Sequence, residues 1–238
     1  KAEAVATGHY VRVEKDPTTG DFLLKTGLDL EKDQSYFLFG LNQEQLSQAI
    51  FPVGNFTKAS VRSYAREKGL PVADKPDSQE LCFVPSGEHV QFIEKHAEVQ
   101  SGAGVIQNLD GETLGSHNGI HRFTIGQRRG LGIQSREPLY VLEINAATRV
   151  ITVGPKRALE RTCFTASNVN WIGSTPPTGP ITAATRIRHR HEPSNATVQR
   201  LEGDRVEVCF NEPQLAVTPG QAVVWHENDI VLGGGWID

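Results

Sequence analysis

Cys82 is a candidate for covalent chemistry because it lies on the boundary between a mixed α/β section and the β sections that follow. It lies in the segment KPDSQELCFVP (75–85), with carboxylates nearby at Asp77 and Glu80. A cysteine can serve there as a nucleophile or a sulfur carrier, although adjacent carboxylates disfavour the thiolate. A buried structural cysteine is the alternative, since free cysteines are among the most buried residues. We expect Cys163 and Cys209, which lie in β-type runs, to belong to the core.

Two basic segments have the residue types that hold phosphate. Arg128 and Arg129 stand between Gly126 and Gly130 in HRFTIGQRRGLGI (121–133), where glycine lets a backbone approach a ligand closely. Adjacent guanidinium groups bind phosphate oxygens in a bidentate manner. A solvated hairpin turn would have the same composition.

The segment RIRHRH (186–191) is the second basic segment. If it is a strand, Arg186, Arg188 and Arg190 share one face and form a line of positive charge. Such a line suits the RNA backbone. An exposed sheet face with compensating acids is the alternative.

Lys32, Asp33 and Gln34 precede an aromatic run in LEKDQSYFLFGL (30–41). Lysine can hold a phosphate, whereas Asp and Gln can contact base or sugar edges. Asp33 serves equally well as the cap of a helix that begins there.

Composition and motifs exclude several classes of function. The net charge is −4, so an RNA partner must be argued from local patches. No G-x-x-x-x-G-K-[ST] loop, no complete G-x-G-x-x-G fingerprint and no metal-ligand spacing is present. No apolar run is long enough to cross a bilayer. Three widely spaced cysteines argue against a disulfide framework and for a reducing compartment, the cytoplasm.

Mixed helix and strand signals occupy the first section. We predict a buried strand over 4–7, a strand over 21–25, and helices over 33–41, 43–49 and 57–68. The last of these is the clearest, because Thr57 can cap it and Gly69 and Pro71 end it.

Short β-type runs dominate after Pro85. In the central section they cover 104–107, 121–125, 139–144 and 150–153, with a turn at Asp110–Gly111. Six further runs follow, over 163–169, 180–191, 195–201, 205–210, 221–226 and 230–237. A β-barrel is the closure expected for the last six, because it leaves few exposed edges.

Eight stretches together resemble the tRNA 2-thiouridylases of the MnmA/TrmU family along nearly the whole chain. They are ATGHY (6–10), KDQSYFL (32–38), TKASVRSYAREKGLPVADKPDSQELCFV (57–84), FTIGQRRGLGI (123–133), YVLEI (140–144), RIRHR (186–190), AVTPGQAVVW (216–225) and VLGGGWI (231–237). The resemblance implies an α/β remnant of an adenine-nucleotide alpha-hydrolase-like (PP-loop) domain at 1–85. Two small, mainly β domains follow at 86–157 and 158–238, the last a tRNA-binding β-barrel.

The resemblance also implies roles for individual residues. Cys82, in the D-S-Q-x-x-C-F motif, matches the persulfide carrier, and Gly8 matches a backbone contact to ATP. The residues matching tRNA contacts are His9, Lys32, Asp33, Gln34, Arg188, His189 and Gln221, and we add Arg128 and Arg129 as phosphate-binding candidates. Position 189 is usually tyrosine in the family, so the role of His189 is less defined.

The activity that this implies is ATP-dependent transfer of persulfide sulfur to C2 of the wobble uridine of tRNA. ATP is Mg-dependent in the complete family enzyme, the sulfur comes from a relay protein or cysteine desulfurase, and no structural metal is expected. The family's SGGVDS loop and a second cysteine precede ATGHY, so we interpret Lys1 as a cut and expect this chain alone to be inactive. The alternatives are a stand-alone RNA-binding β module, and a related ligase or sulfurtransferase with another substrate.

Overall fold

The computed structural model describes residues 2–75, 92, 94, 95 and 102–238. The chain forms two compact units. The first unit comprises Lys1–Lys75, Thr162–Pro213 and Thr218–Asp238, and the second comprises Pro76–Arg161 and Gln214–Val217. Among the residues described, no helix is long and apolar enough to span a membrane.

The first section contains short strands and two helices. Strand β1 (Val5–Ala6) pairs in parallel with β4 (Ala49–Ile50), and β2 (Val11–Lys15) forms an antiparallel hairpin with β3 (Phe22–Thr26). Helix α1 (Gln43–Gln48) begins with a capping box made by Asn42 and Gln45, and α2 (Lys58–Glu67) is capped by the Thr57 side chain. The predicted strand over 21–25 and both of these helices are therefore confirmed.

Six antiparallel strands close into a barrel in the first unit, as predicted. They are β9 (Glu160–Trp171), β10 (Ile181–Arg186), β11 (Ser194–Arg200), β12 (Val206–Leu215), β13 (Ala222–Glu227) and β14 (Ile230–Ile237). The order β13-β10-β11-β12-β9-β14 is closed by pairing of β13 with β14. The closed ring pairs the two strands that would otherwise be edges.

The barrel and the first section share a sheet and a core. The first residues of β14, Ile230 and Val231, pair with β3, while Gly233 to Ile237 pair with β9. Val11 and Leu24 of the hairpin therefore pack with Val224 and Val231 of the barrel in one buried cluster. Burial of these side chains stabilises both parts at once.

The three glycines of β14 permit close packing inside this unit. A Cβ on Gly234 would collide with the Phe39 ring and lie 2.7 Å from the Val223 carbonyl oxygen. A Cβ on Gly233 would collide with the carbonyl oxygen of Asn170. The GGG run at 233–235 is therefore a packing feature. It lets residues 35–40, which we call the aromatic segment, cross β14 closely.

A four-stranded sheet forms the second unit. Its order is β6-β5-β8-β7, from β5 (Gly104–Gln107), β6 (Thr113–His117), β7 (Tyr140–Asn145) and β8 (Val150–Gly154). Its core is built from the buried side chains Ile106, Leu131, Val141, Ile151 and Val153. The sheet confirms three of the predicted central runs and the turn at Asp110–Gly111, and adds β6, which the sequence analysis missed.

Three predicted elements differ from the structure. The expected helix over 33–41 is a 3-10 turn at Ser35–Phe37, because Leu38 and Leu41 donate to carbonyls three residues earlier. The expected strand over 121–125 is a 3-10 turn at Ile120–Arg122, followed by a turn in which Gly126 has φ +85°. Strand β1 is exposed rather than buried, with Val5 67% accessible.

Candidate nucleic-acid interface

Three segments that are distant in sequence meet on the first unit. Phe37, which follows the Lys32-Asp33-Gln34 motif, stacks on His189 of the RIRHR segment with ring centroids 4.6 Å apart and planes inclined by 35°. Phe37 also lines a pocket together with Gln221, from the TPGQ segment. The fold therefore brings together residues from three of the four segments of this unit that were assigned to tRNA contact, and the fourth is the ATGHY segment with His9.

The pocket has a volume of about 420 Å³ and an aromatic wall. Its lining residues are Tyr36, Phe37, Phe39, Gly40, Asn168, Asn170, Gly220, Gln221, Ala222 and Trp236. Phe37 and Trp236 remain 57% and 47% exposed, whereas Tyr36 and Phe39 are buried. Two exposed rings beside three amide side chains can stack on a planar ligand and hydrogen-bond its edge.

Internal hydrogen bonds hold the pocket walls in place. The Tyr36 hydroxyl donates to the Ala222 carbonyl oxygen at 2.8 Å, and burial raises the Tyr36 pKa to about 12. The Asn170 side-chain amide donates to the carbonyls of Phe39 and Leu41 at 2.6 and 3.0 Å. The aromatic segment is therefore fixed to β9 and β13 before any ligand arrives.

Asp33 is a buried anchor of the aromatic segment. Its carboxylate accepts hydrogen bonds from the backbone amides of Gly27 and Ser35, each at 3.1 Å, and from the Ser35 hydroxyl at 2.8 Å. The residue is 3% exposed, and its Oδ2 lies 3.7 Å from the Arg186 guanidinium. These contacts make Asp33 an internal anchor and not a helix cap, because the 3-10 turn at Ser35–Phe37 has Gln34 at its N-cap position and no side-chain cap. The contact of Asp33 with tRNA stays a prediction.

A buried histidine lies beside this ion pair. His226, on β13, is 4% exposed, and its ring lies beside the backbone of Ala184 on β10. Burial lowers the pKa of His226 to about 4, and the nearby Arg186 charge acts in the same direction while Asp33 opposes it. The neutral imidazole is therefore the form that the fold accommodates.

The predicted line of three arginines does not form. Strand β10 ends at Arg186, and the chain then turns, with His191 N donating to Arg188 O at 3.0 Å. Ile187 is buried at the turn, Arg186 faces Asp33, and Arg188 and Arg190 are exposed. The alternation of buried and outward-facing residues continues through Ile187 and ends there, because residues 188–191 form a turn.

Of the two further candidates, Lys32 and Gln34, the second is bonded to the backbone of Tyr10. The Gln34 side chain accepts from the Tyr10 amide at 3.0 Å, and the Gln34 amide donates to the Tyr10 carbonyl at 3.1 Å. Lys32 and Gln34 are both partly exposed. Gln34 thus fixes the start of the aromatic segment to the hairpin, while its tRNA contact stays a prediction.

Gly8 and His9 form an exposed corner before β2. A Cβ on Gly8 would meet no atom within 4 Å, so its backbone is open to a ligand such as ATP. His9 is half-buried, with Nδ1 2.9 Å from the Thr7 hydroxyl and its ring 6.4 Å from that of Phe51. The contact of Gly8 with ATP and that of His9 with tRNA stay predictions.

Arg128 and Arg129 are exposed on an ordered loop of the second unit. The Gln127 side chain accepts from Thr124 N and donates to Arg129 O, at 3.0 and 2.9 Å, and Val141 N donates to Gln127 O at 2.9 Å. The loop presents two cations from a fixed backbone, an arrangement suited to phosphate.

The cysteines divide into two groups. Cys82 lies outside the residues that the structure describes. Cys163 and Cys209 form a disulfide between β9 and β12, with Cα atoms 4.2 Å apart. Cys163 is exposed and Cys209 half-buried, so the expectation that both belong to the core was wrong, as was the inference from their spacing against a disulfide. The spacing of the cysteines did not reveal the disulfide, because residues 46 positions apart become neighbours only through the barrel topology.

Sequence analysis missed Trp236 and the two asparagines of the pocket. Trp236 follows the GGG run on β14, and its ring lies 5.8 Å from that of Phe39. The signal in the sequence that could have indicated Trp236 was a tryptophan near the end of a predicted strand. Within the described ranges, no group of three or more His, Cys, Asp or Glu side chains is arranged to hold a metal ion.

Three family models match the chain in succession. The model described as tRNA methyl transferase HUP domain matches residues 1–86, tRNA methyl transferase PRC-barrel domain matches 90–155, and Aminomethyltransferase beta-barrel domain matches 161–237. They confirm the predicted fold class, an α/β section followed by two β domains. The boundaries predicted at 85 and 157 stay a prediction.

Curated relatives match over nearly the entire chain. The tRNA-specific 2-thiouridylase MnmA of Acidobacterium capsulatum is 48% identical over 99% of this chain and 66% of its own length. Its namesake in Geotalea uraniireducens is 49% identical over 100% of this chain and 63% of its own length. The one from Trichormus variabilis is 46% identical over 99% of this chain and 67% of its own length. This chain thus spans about two thirds of their length, and it belongs to the tRNA-specific 2-thiouridylase MnmA family.

Proposed function

We propose that the protein containing this chain is a tRNA 2-thiouridylase whose first unit binds tRNA through the surface around Phe37, His189 and Gln221. The convergence of three distant segments on this surface carries the proposal. Exposed aromatic rings take unstacked bases, and the exposed guanidinium groups of Arg188 and Arg190 take phosphate. Arg128 and Arg129 supply further phosphate contacts from the second unit.

The proposed reaction uses Cys82 as the persulfide carrier. ATP, contacted by the Gly8 backbone and used with Mg²⁺, transfers its AMP group to the C2 oxygen of the wobble uridine, and pyrophosphate leaves. The terminal persulfide sulfur on Cys82 attacks C2, and AMP leaves with the oxygen. A second cysteine then attacks the Cys82 sulfur, which releases 2-thiouridine and leaves a disulfide for an external thiol to reduce. A sulfur-relay protein or cysteine desulfurase supplies the persulfide, in the cytoplasm.

Thiolation of tRNA by the full-length protein tests this proposal. The protein is incubated with tRNA, ATP, Mg²⁺ and a persulfide donor, and 2-thiouridine is detected by retardation in a gel containing immobilised mercury. We expect the retarded species to appear only with ATP, and Cys82→Ser to abolish it while tRNA affinity stays within about twofold. Because Cys163 and Cys209 pair with each other between barrel strands, the Cys163→Ser/Cys209→Ser double variant is the matched control and should keep thiolating.

Two results would overturn the assignment. If Cys82→Ser thiolates tRNA at the normal rate, the residue is not the carrier, and a binding module without catalysis becomes the better account. If tRNA instead gains a methyl group from S-adenosylmethionine, the activity is the one named in two of the matching domain descriptions. Mass spectrometry of the digested tRNA distinguishes sulfur from methyl incorporation.

A further inference from the structure

The pocket between the aromatic segment and β14 has features that the proposed chemistry does not use. It contains Trp236, Asn168 and Asn170, none of which the family resemblance assigned to tRNA. We infer that this pocket binds one unstacked nucleobase of a tRNA loop, stacked against the exposed rings of Trp236 and Phe37. The inference rests on the proposed function in requiring tRNA as the ligand.

Size and chemistry of the lining favour a neutral planar ring. A cavity of about 420 Å³ accommodates a single base with part of its sugar, and among the lining residues described none is charged. Asn168 and Gln221 bring amide groups that can pair with the donor and acceptor edge of a base, whereas Asn170, whose amide nitrogen is bonded to Phe39 and Leu41, offers only its oxygen as an acceptor. Aromatic faces together with amides are the combination that proteins use for single-stranded RNA.

Positive charge lies next to the pocket, where the phosphate of a bound nucleotide would be. His189 stacks on the pocket residue Phe37, and its neighbours Arg188 and Arg190 are exposed. Arg188 also acts electrostatically on the Tyr36 hydroxyl, which belongs to the pocket wall. In a chain of net charge −4, a local positive rim beside an aromatic pocket favours a nucleotide within a phosphate backbone.

The walls are built to keep the pocket open. Tyr36 and Asn170 are held by the hydrogen bonds to Ala222, Phe39 and Leu41, and Phe39 packs against Gly234. A Cβ added to Gly40, which also lines the pocket, would meet no atom within 4 Å. The cavity is therefore preformed, so binding does not require the aromatic segment to reorganise.

Tryptophan fluorescence of the 238-residue chain reports directly on occupancy. Of its three tryptophans, Trp225 is fully buried and Trp171 packs against it, whereas Trp236 is half exposed in the pocket. An RNA anticodon stem–loop should quench the emission, and the quenching should be lost in Trp236→Leu but kept in Trp171→Phe. The stem–loop affinity should fall by roughly 5- to 100-fold in Trp236→Leu, because stacking of one base is lost.

A second variant tests the pocket without removing a ring. Gly40→Leu places a side chain in open space, so we expect an unchanged melting temperature and a similar loss of stem–loop affinity. Replacing the loop bases one at a time by abasic sites should identify one position whose loss weakens wild-type binding but has no further effect on Gly40→Leu. If no position behaves in this way, the pocket does not bind a tRNA base.

Free uridine monophosphate separates an RNA base from a free nucleotide. At concentrations at which the stem–loop saturates quenching, we expect the free nucleotide to cause none. Quenching by uridine monophosphate at the same concentration would contradict the RNA assignment. If a full-length Trp236→Leu protein thiolates tRNA and binds the stem–loop with unchanged affinity, the pocket proposal alone is wrong. If the stem–loop quenches the emission but the full-length protein does not thiolate tRNA, the proposed function alone is wrong.

Discussion

At the scale of single residues, the pair formed by Asp33 and Arg186 predicts a large effect on stability. Asp33→Asn keeps the shape of the side chain but removes the charge that accepts three hydrogen bonds and faces Arg186. We expect the free energy of unfolding to fall by about 2–4 kcal/mol, because three hydrogen bonds of a buried carboxylate weaken and the partly buried guanidinium of Arg186 loses its partner. Urea denaturation of the 238-residue chain measures this change.

A matched control for Asp33→Asn is Glu67→Gln. Glu67 pairs with Lys68 at 3.2 Å, but both side chains are more than half exposed, so its loss should cost less than about 0.5 kcal/mol. In the double variant with Arg186→Met, the cost of Asp33→Asn should be markedly smaller than in the wild type. Equal costs in the two backgrounds would show that the two side chains are not coupled.

His226 makes stability depend on pH over a defined range. Its pKa is about 4 in the folded chain against 6.5 for an ordinary histidine, so the unfolded chain takes up the proton first as pH falls. The contribution of neutral His226 is complete above about pH 6.5 and is lost toward pH 4, by about 3 kcal/mol at most. His226→Phe should therefore lose less stability than the wild type between pH 7 and 4.5 in urea denaturation. Parallel curves for the two proteins would contradict this account.

At the scale of elements, the close crossing of β14 over Phe39 predicts that Gly234 tolerates no side chain. In Gly234→Ala the new methyl group meets the Phe39 ring and the Val223 carbonyl, so we expect a loss of about 1–3 kcal/mol in unfolding free energy and a displaced pocket wall. Gly179→Ala is the control, since its Cβ would meet nothing within 4 Å. If the Gly234→Ala chain is as stable as the Gly179→Ala chain, β14 does not pass as close to the Phe39 ring as described.

The six barrel strands and helices α1 and α2 were predictable because their signals are local. Thr57 and Asn42 cap helices through their own side chains, and turn residues separate the strands. The segment after Asp33 was not predictable as a 3-10 turn, because the bonds that shape it come from Asn170 and Ala222, far along the chain. Arg186 likewise turns inward toward a residue 153 positions earlier. The candidate site depends on such non-local contacts, so the sequence indicated its residues without their arrangement.

At the scale of the whole molecule, tRNA binding should depend strongly on salt. Each phosphate contact releases counterions, so the logarithm of affinity falls linearly with the logarithm of salt concentration. Arg188→Ala should weaken binding of all tRNAs alike and flatten this slope by about 0.7–0.9. Filter binding of the 238-residue chain across a salt series measures the slope.

Arg205→Ala serves as the comparison in that series. Arg205 is already paired with Asp238 at 2.9 Å, so its removal should leave the slope nearly unchanged. A slope that responds equally to both substitutions would mean that the effect reflects overall charge and no particular phosphate contact.

The attachment of the β2–β3 hairpin to β14 has a consequence for any attempt to divide this protein. A piece beginning near residue 158 would keep all six barrel strands, yet Ile230 and Val231 would pair with β13 alone and lose their partners on β3. It would also remove Val11 and Leu24 from the shared cluster. Such a piece would expose unpaired backbone groups at a strand edge to other copies of itself, which favours self-association. Recombination between relatives should therefore succeed only when hairpin and barrel are inherited from the same parent.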